Sequence, residues 1–431
     1  MDYSKKNNDN AMEQNNHPEI TESLYKFPAV DLLQDYTEEK SLSKSKIVTL
    51  KEVILSSQFQ DSSYDLPICL GESVEGEPVV ADLSRLPHLL VAGDPGMGKR
   101  PCINSIVVSL LYKKRPEELK FVFIDTRKVE YCDYRIICNH YLAKLPNVDN
   151  PIIDSIRDAV NTLESLRREM EDRYDLLRKA SARNIKDYNA KYSEEKLSAT
   201  DGHRHLPYLV VVIDDLRDLI LTAGQSAELP IACLAQLSRA VGIHLILCTE
   251  RPSFDVLTGA IKANFPARIA FRVHTKEESK AILNHSGAEL LSGNGDMLLS
   301  IDGANLIRLQ GAFIGSLEVE SVTLHIAAQT GYSQPYLLPH CEVKPEDKTP
   351  TDPKDIDPAF MMAATIVVES QLGSTSFLQR KLKIGYNRAN RIMDQLEEFG
   401  VVGSYKENVG REVKVKTTEE LIAIFEKLGL L

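Results

Sequence analysis

One stretch, LPHLLVAGDPGMGKR at residues 86–100, constrains this chain more than any other. His88 to Ala92 form a short apolar run of the kind buried in a parallel sheet, a glycine-rich turn follows, and Pro101 opens a helical pattern through Tyr112. The turn has phosphate-loop spacing: Gly93, then Asp94, Pro95, Gly96 and Met97, then Gly98 and Lys99. Backbone N–H groups of such a loop wrap phosphate oxygens at the positive end of the next helix, while the lysine reaches the outer phosphates. The position that normally puts a hydroxyl on Mg²⁺ holds Arg100, a permanent cation with no lone pair to offer a metal. Residues 93–100 are therefore expected to bind phosphate, without the usual support for magnesium.

Two further apolar runs end in acids at what should be the same sheet edge. KFVFIDTR (120–127) reads as a buried strand, and LPYLVVVIDDL (206–216) places Asp214 and Asp215 directly after five consecutive apolar residues. In a Walker B reading the first acid holds a water of the metal's shell and the second activates the attacking water. AVGIHLILCTERPS (240–253) is another such strand, ending at Glu250. Between them, residues 154–192 read as one long charged amphipathic helical stretch, so strand and helix alternate as in an α/β domain. Ligands of open α/β sheets collect at the carboxyl edge. The segments VTLKEVIL and PICLGE upstream of the loop read as short β pieces flanking the main sheet.

Composition narrows the class. With 431 residues, 43% hydrophobic and 26% charged, the chain is long enough for two or three globular domains. A net charge of −11 excludes a wholly basic exterior, so any nucleic-acid contact must be local. Seven cysteines without a CxxC pair suit free thiols in a reducing cytoplasm and argue against structural zinc. No apolar run is long enough to span a bilayer and the N-terminus lacks a signal-peptide core, so the expected location is cytoplasmic. Residues 1–45 read as a flexible polar arm, 46–330 as the α/β domain and 331–356 as a proline-rich linker.

Residues 357–416 read as three helices and a β-hairpin, a winged helix, followed by a helical tail at 417–431. Ser376 is positioned to cap the second helix. LQRKLKIGYNRANR (378–391) carries Arg380, Lys381, Lys383, Arg388 and Arg391 with no acid, where a recognition helix should lie. Arg388 and Arg391 are one turn apart on one face. Duplex DNA is the expected partner, with Asn387, Arg388 and Arg391 towards the bases and Arg380 and Lys383 towards phosphates.

The strings GEPVVADLSRLPHLLVAG, YDLLRKASARNIKDYNAKY, LPYLVVVIDDLRDLI, RAVGIHLILCTERPSFDVLTGAIKANFPARIAFRV and GAELLSGNGDML resemble the motor of the FtsK/SpoIIIE DNA translocases. SFLQRKLKIGYNRANRIMDQLEEFGVV resembles that family's C-terminal gamma domain. The resemblance implies a RecA-like ATPase that binds ATP, assembles as a hexameric ring on duplex DNA and pumps it, and serves chromosome segregation and cell division; this chain's departures from the family pattern set it apart on Mg²⁺. It makes Asp214, Asp215, Glu250 and Arg268 the catalytic candidates, with Arg268, in the ARIAF string, supplied to a neighbouring subunit's site. The family's membrane-spanning N-terminal region has no counterpart here, so a short soluble relative is expected.

The departures gather at one place. The family has Lys-Ser or Lys-Thr, Asp-Glu, Thr-Gln-Arg-Pro and Asp-Pro-Lys where this chain has Lys99-Arg100, Asp214-Asp215, Thr249-Glu250-Arg251-Pro252 and Asp125-Thr126-Arg127. Arg100 is expected to stand in for Mg²⁺ and pair with Glu250. Two functions follow: an active translocase with an unusual pocket, or a weakened or inert ring subunit that regulates or mixes with a full-length relative. A conjugation-type DNA pump is a third, more distant reading.

Overall fold

The computed structural model describes residues 25–36, 47–303, 305–341, 356–382, 384, 386–406, 410–427 and 430. The chain divides into two compact units, Met1–Glu342 and Val343–Leu431.

The larger unit is built on one eleven-stranded sheet. In chain order its strands are β1 (Val48–Thr49), β2 (Pro67–Ser73), β3 (Pro78–Asp82), β4 (Leu89–Ala92), β5 (Leu119–Asp125), β6 (Ile152–Ile153), β7 (Tyr208–Asp214), β8 (Ile243–Thr249), β9 (Ala267–Phe271), β10 (Asp296–Ser300) and β11 (Leu306–Phe313). Their spatial order is β3-β2-β11-β10-β9-β4-β8-β7-β5-β6, with β1 beside β11. The six strands from β9 to β6 are mutually parallel, and β10, β11, β2 and β3 extend them antiparallel. The central runs are continuously apolar because both faces are covered. Leu89, Val91, Phe121, Phe123, Val210 and Val212 pack into one core, and their neighbours Leu90, Ala92, Val122, Ile124, Val211 and Ile213 into the other. Helix α1 (Lys99–Leu111) lies in the first core, and α2 (Ile156–Lys179) covers the second.

Several sequence expectations are corrected. VTLKEVIL is mostly helix, Leu50–Leu55, because Thr49 and Glu52 form a reciprocal capping box that outweighs the β-branched residues. The 154–192 stretch breaks after Lys179: Ser181 adopts φ +49, and Asn184 caps a second helix, Ile185–Ser193. β2 and β3 belong to the main sheet rather than flanking it. The arm is not wholly free, since Tyr25 and Leu33 are buried in the first core and the Tyr25 and Tyr141 hydroxyls lie 2.8 Å apart. The linker likewise begins inside this unit: Tyr336–Leu337 pairs with Ala143–Lys144, and the Tyr336 hydroxyl donates to buried Glu169 at 2.8 Å. The remainder of the arm and most of the linker lie outside the described residues.

The smaller unit holds α3 (Phe360–Ser370), α4 (Thr375–Leu382), α5 (Tyr386–Glu398), the hairpin strands β12 (Val402–Lys406) and β13 (Gly410–Val413), and α6 (Thr418–Lys427). Phe360, Val367, Leu378, Ile392, Leu396, Val402, Val413 and Phe425 form its core. The second helix begins one residue before Ser376, and its first turn is held by Ser374, whose Oγ accepts from Phe377 N–H at 3.4 Å.

Candidate nucleotide site and DNA-binding face

Because the chain leaves β4 for β5 across two strand positions later filled by β8 and β7, the carboxyl ends of all four strands converge. Residues 93–99 form the turn between β4 and α1. Gly93 and Gly98 have φ of +151° and +122°, and a Cβ on Gly98 would sit 2.9 Å from Gly295 Cα, so a side chain is excluded there. The loop is braced by its neighbours: Asp94 N–H donates to Arg272 O at 2.9 Å, and Gly295 N–H to Met97 O at 3.1 Å. Pro95 and Gly96 are exposed at the tip. Buried Lys99 donates through Nζ to the Asp94 carbonyl at 2.7 Å, within reach of any phosphate the loop takes.

The acids stand at the strand ends as expected. Asp125 is fully buried and accepts from the Arg127, Lys128 and Glu130 N–H groups at 3.2, 3.0 and 2.8 Å, folding the 126–130 turn back over the site. Asp214 ends β7, register-paired with Asp125. Burial pushes its carboxyl up to about 6, with a hydrogen bond to Cys248 acting in the opposite direction. Asp215 precedes the helix Leu216–Ala223 in a left-handed conformation, φ +52°, without a side-chain capping bond, the kind of backbone strain that gathers at functional sites.

The charge pairing differs from expectation. Arg100 points to Glu130, with Nε 2.8 Å from Oε2, and does not pair with Glu250. Arg127 takes both remaining acids: its Nε lies 2.5 Å from Asp215 Oδ2 and its Nη1 2.8 Å from Glu250 Oε2. One planar fork can serve two carboxylates in this way because its donors diverge. Burial opposes the charge on Arg127, but Glu250 and Asp215 together raise its pKa above the usual range. Burial raises the Asp215 carboxyl, and the Arg127 guanidinium pulls it back. The Asp125-Thr126-Arg127 departure is the sequence signal of Arg127, whereas Glu130 carries none.

Arg268 is corrected. It is 5% exposed, and its guanidinium donates to the carbonyls of Phe265, Ile282 and Lys262 at 2.7, 3.0 and 2.6 Å. A side chain spent on three carbonyls of its own chain clamps β9 to the neighbouring helices.

The residues do not fit the magnesium that the fold family implies. Position 100 offers a cation, Asp215 is occupied by Arg127, and Asp214 is buried beside Cys248. Among the described residues, Asp94, His274 and Glu278 are grouped closely enough to share an ion, with ligand atoms within 4.8 Å. They already satisfy one another and the backbone: Asp94 lies 2.5 Å from His274 Nδ1, and Glu278 caps its helix by accepting from Thr275 N–H at 3.0 Å.

In the smaller unit, Arg388 and Arg391 do share one face, but both converge on Asp357. Its carboxylate accepts from Arg388 at 3.0 and 2.8 Å and from Arg391 at 2.8 Å. The Arg388 hydrogen bonds hold the Asp357 carboxyl well below the usual carboxylate range. The guanidinium side chains remain 46% and 66% exposed, so their outer faces are open to a ligand. Arg380 is exposed on α4. Asn387 lies in the first turn of α5, and Lys383 falls outside the described residues.

Comparison with known proteins agrees with these two units. The FtsK/SpoIIIE family model matches residues 49–254, and the FtsK gamma domain model matches 354–416. The DNA translocase FtsK of Chlorobaculum tepidum is 43% identical over 396 residues, covering 90% of this chain and 48% of that protein. The Helicobacter pylori J99 homologue is 41% identical over 376 residues, 86% of this chain and 42% of its own length. The chain thus spans about half the length of these curated relatives. Among solved structures, the pCW3 conjugation coupling protein TcpA with ATPγS superposes with a TM-score of 0.53 at 25% identity, over 66% of this chain and 74% of that one. The cytoplasmic domain of the Thermomonospora curvata secretion ATPase EccC gives 0.56 at 20% identity, over 69% and 36%, a likeness of fold. No helix among the described residues is long and apolar enough to cross a membrane. A phosphate loop at the centre of a parallel sheet, acids at three strand ends and a gamma-type winged helix, with both family models matching in order, make this chain a member of the FtsK/SpoIIIE family of DNA translocases.

Proposed function

We propose that this chain is a DNA- and ATP-binding subunit of translocase type, assembling as a ring on duplex DNA in chromosome segregation and cell division, with attenuated hydrolysis. The observation that carries the attenuation is the Arg127 bridge. The acid that would activate water, Asp215, is one methylene shorter than glutamate and is ion-paired at 2.5 Å to Arg127. An acid neutralised by a guanidinium is a poor base, and losing such a group commonly costs about 10² or more in rate. DNA contact is assigned to the face carrying Arg380, Asn387, Arg388 and Arg391, with the open sides of the two arginines on the duplex.

The 43% identity to a protein named DNA translocase over nearly the whole chain favours a second reading, an active motor. Steady-state ATPase with and without duplex DNA separates the two. The expected turnover is at or near background, rising only when Arg100→Ser, Arg127→Lys, Asp215→Glu and Glu250→Gln are combined, because groups acting as one unit are not additive. Vigorous DNA-stimulated turnover by the unmodified chain, abolished by Lys99→Ala, establishes the active motor instead.

A further inference from the structure

Within that reading of nucleotide binding, on which this inference rests, we propose that the pocket takes the metal-free nucleotide, with the Arg127 guanidinium standing in the place of the divalent cation. An ordinary phosphate loop needs the cation for two reasons: to offset the charge of the outer phosphates, and to tie them to the hydroxyl after the lysine and the Walker B acid. Both needs are met differently here. Arg127 lies among the strand-end acids, bonded at 2.5 Å to Asp215 and 2.8 Å to Glu250, and its turn is pinned by three N–H donors on Asp125. Arg100 stands at the start of α1, paired with Glu130 at 2.8 Å and 42% exposed at its side chain. Lys99, bonded through Nζ to the Asp94 carbonyl of the loop, is the third side-chain cation of the region.

A divalent ion entering this arrangement meets repulsion instead of ligands. To reach Asp215 it must displace Arg127, breaking an ion pair with a buried carboxylate. At position 100 it meets a guanidinium where a hydroxyl should be. Each unit of like charge at about 4 Å costs roughly 4 kcal/mol at a surface-like dielectric, more than a partly exposed carboxylate returns. The fork that holds two carboxylates also has spare N–H donors, since each ion pair uses one of its five, and these suit a phosphate oxygen. The magnesium complex finds no hydroxyl at position 100 and an Asp215 already held by Arg127, whereas the free form needs only the N–H donors, so the site favours the free form. Magnesium should therefore leave binding unchanged or weaken it by sequestering the ligand, the reverse of an ordinary phosphate loop.

The test is equilibrium binding of a fluorescent ATP analogue to the full chain, in EDTA and again in excess Mg²⁺, with thermal melting as a check on folding. The expected affinity in EDTA equals or exceeds that in Mg²⁺. Arg127→Ala should weaken the EDTA affinity by about tenfold, one charge-assisted contact. Arg100→Ser with Arg127→Ala should make binding magnesium-dependent. Tightening by Mg²⁺ of about tenfold or more in the unmodified chain overturns the proposal but leaves nucleotide binding intact. No binding in either condition by a folded chain overturns nucleotide binding itself, and the proposal with it.

Discussion

Replacing Arg127 with methionine tests the charge arrangement through stability alone, with no ligand present. The substitution keeps most of the aliphatic stem and leaves Asp215, 3% exposed at its side chain, without the guanidinium 2.5 Å away. Breaking a buried ion pair by removing one partner costs about 3–5 kcal/mol. Because the Arg127 side chain is 39% exposed, water replaces part of that interaction, and the expected loss at neutral pH falls to about 1–2 kcal/mol. The pH dependence fixes the cause. Burial already raises the Asp215 carboxyl in the folded chain, and without Arg127 it rises further. A carboxyl whose folded pKa exceeds its unfolded value destabilises the fold above the folded pKa, and the penalty disappears as pH falls and the group protonates. The variant's deficit should therefore be full at pH 7.5 and narrow towards pH 5 and below. For a unit of this size 1 kcal/mol corresponds to about 2 °C in melting temperature, so a deficit of about 2–4 °C at pH 7.5 should shrink measurably in scanning fluorimetry at pH 5. In an Asp215→Asn background the Arg127→Met deficit should be smaller at both pH values, leaving only the Glu250 contact. A deficit that is constant with pH, or absent at pH 7.5, would show that Arg127 contributes packing and not charge.

Two further predictions concern the arginines whose roles the structure redefines. Arg268→Met removes three hydrogen bonds from a buried guanidinium to backbone carbonyls; it should lower stability by about 2–4 kcal/mol in urea denaturation followed by circular dichroism. Unchanged stability with impaired assembly-dependent turnover would restore its role in a neighbouring subunit. Asp357→Asn removes the charge that Arg388 and Arg391 share, and should raise affinity for a random duplex by about fivefold at low salt in fluorescence anisotropy, with a steeper salt dependence. A loss of affinity would mean instead that Asp357 is needed to orient the two arginines.

The strands around the phosphate loop were legible, though not their order in the sheet, because each depends on patterns confined to a short window: continuous apolar runs, a glycine turn, acids at strand ends. The winged helix was legible for the same reason, with helix boundaries at 360–370, 375–382 and 386–398 close to the periodic stretches. Local capping chemistry was the first thing missed. VTLKEVIL has strand-forming residues, but Thr49 and Glu52 satisfy two helix-terminal donors at once, and that decided the conformation. The arm and linker were misjudged for a related reason. Low hydrophobicity says that such a segment cannot fold alone; it does not say that one tyrosine in it cannot dock, as Tyr25 and Tyr336 do.

Charge pairing was illegible for a deeper reason. A basic run counts only its neighbours in sequence, whereas an ion pair is decided by which groups the fold brings within about 4 Å. The pocket required a choice among Arg100, Arg127, Glu130, Asp215 and Glu250: the sequence reading paired Glu250 with Arg100, whereas the structure pairs Glu250 with Arg127 and Arg100 with Glu130. Two partners of Arg127 lie 88 and 123 residues away, so only the convergence of β5, β7 and β8 brings them together. In the smaller unit the same error has the opposite sign. The run 378–391 contains no acid, yet Asp357, 31 and 34 residues from its two arginines, supplies one. A phosphate approaching that helix must therefore compete with a carboxylate already in place. Bases contacted by the free edges of Arg388 and Arg391 face no such competition, because those edges are outside the pair. On a duplex docked as proposed, the clamp penalises contacts that depend on charge alone and leaves directional contacts to bases intact.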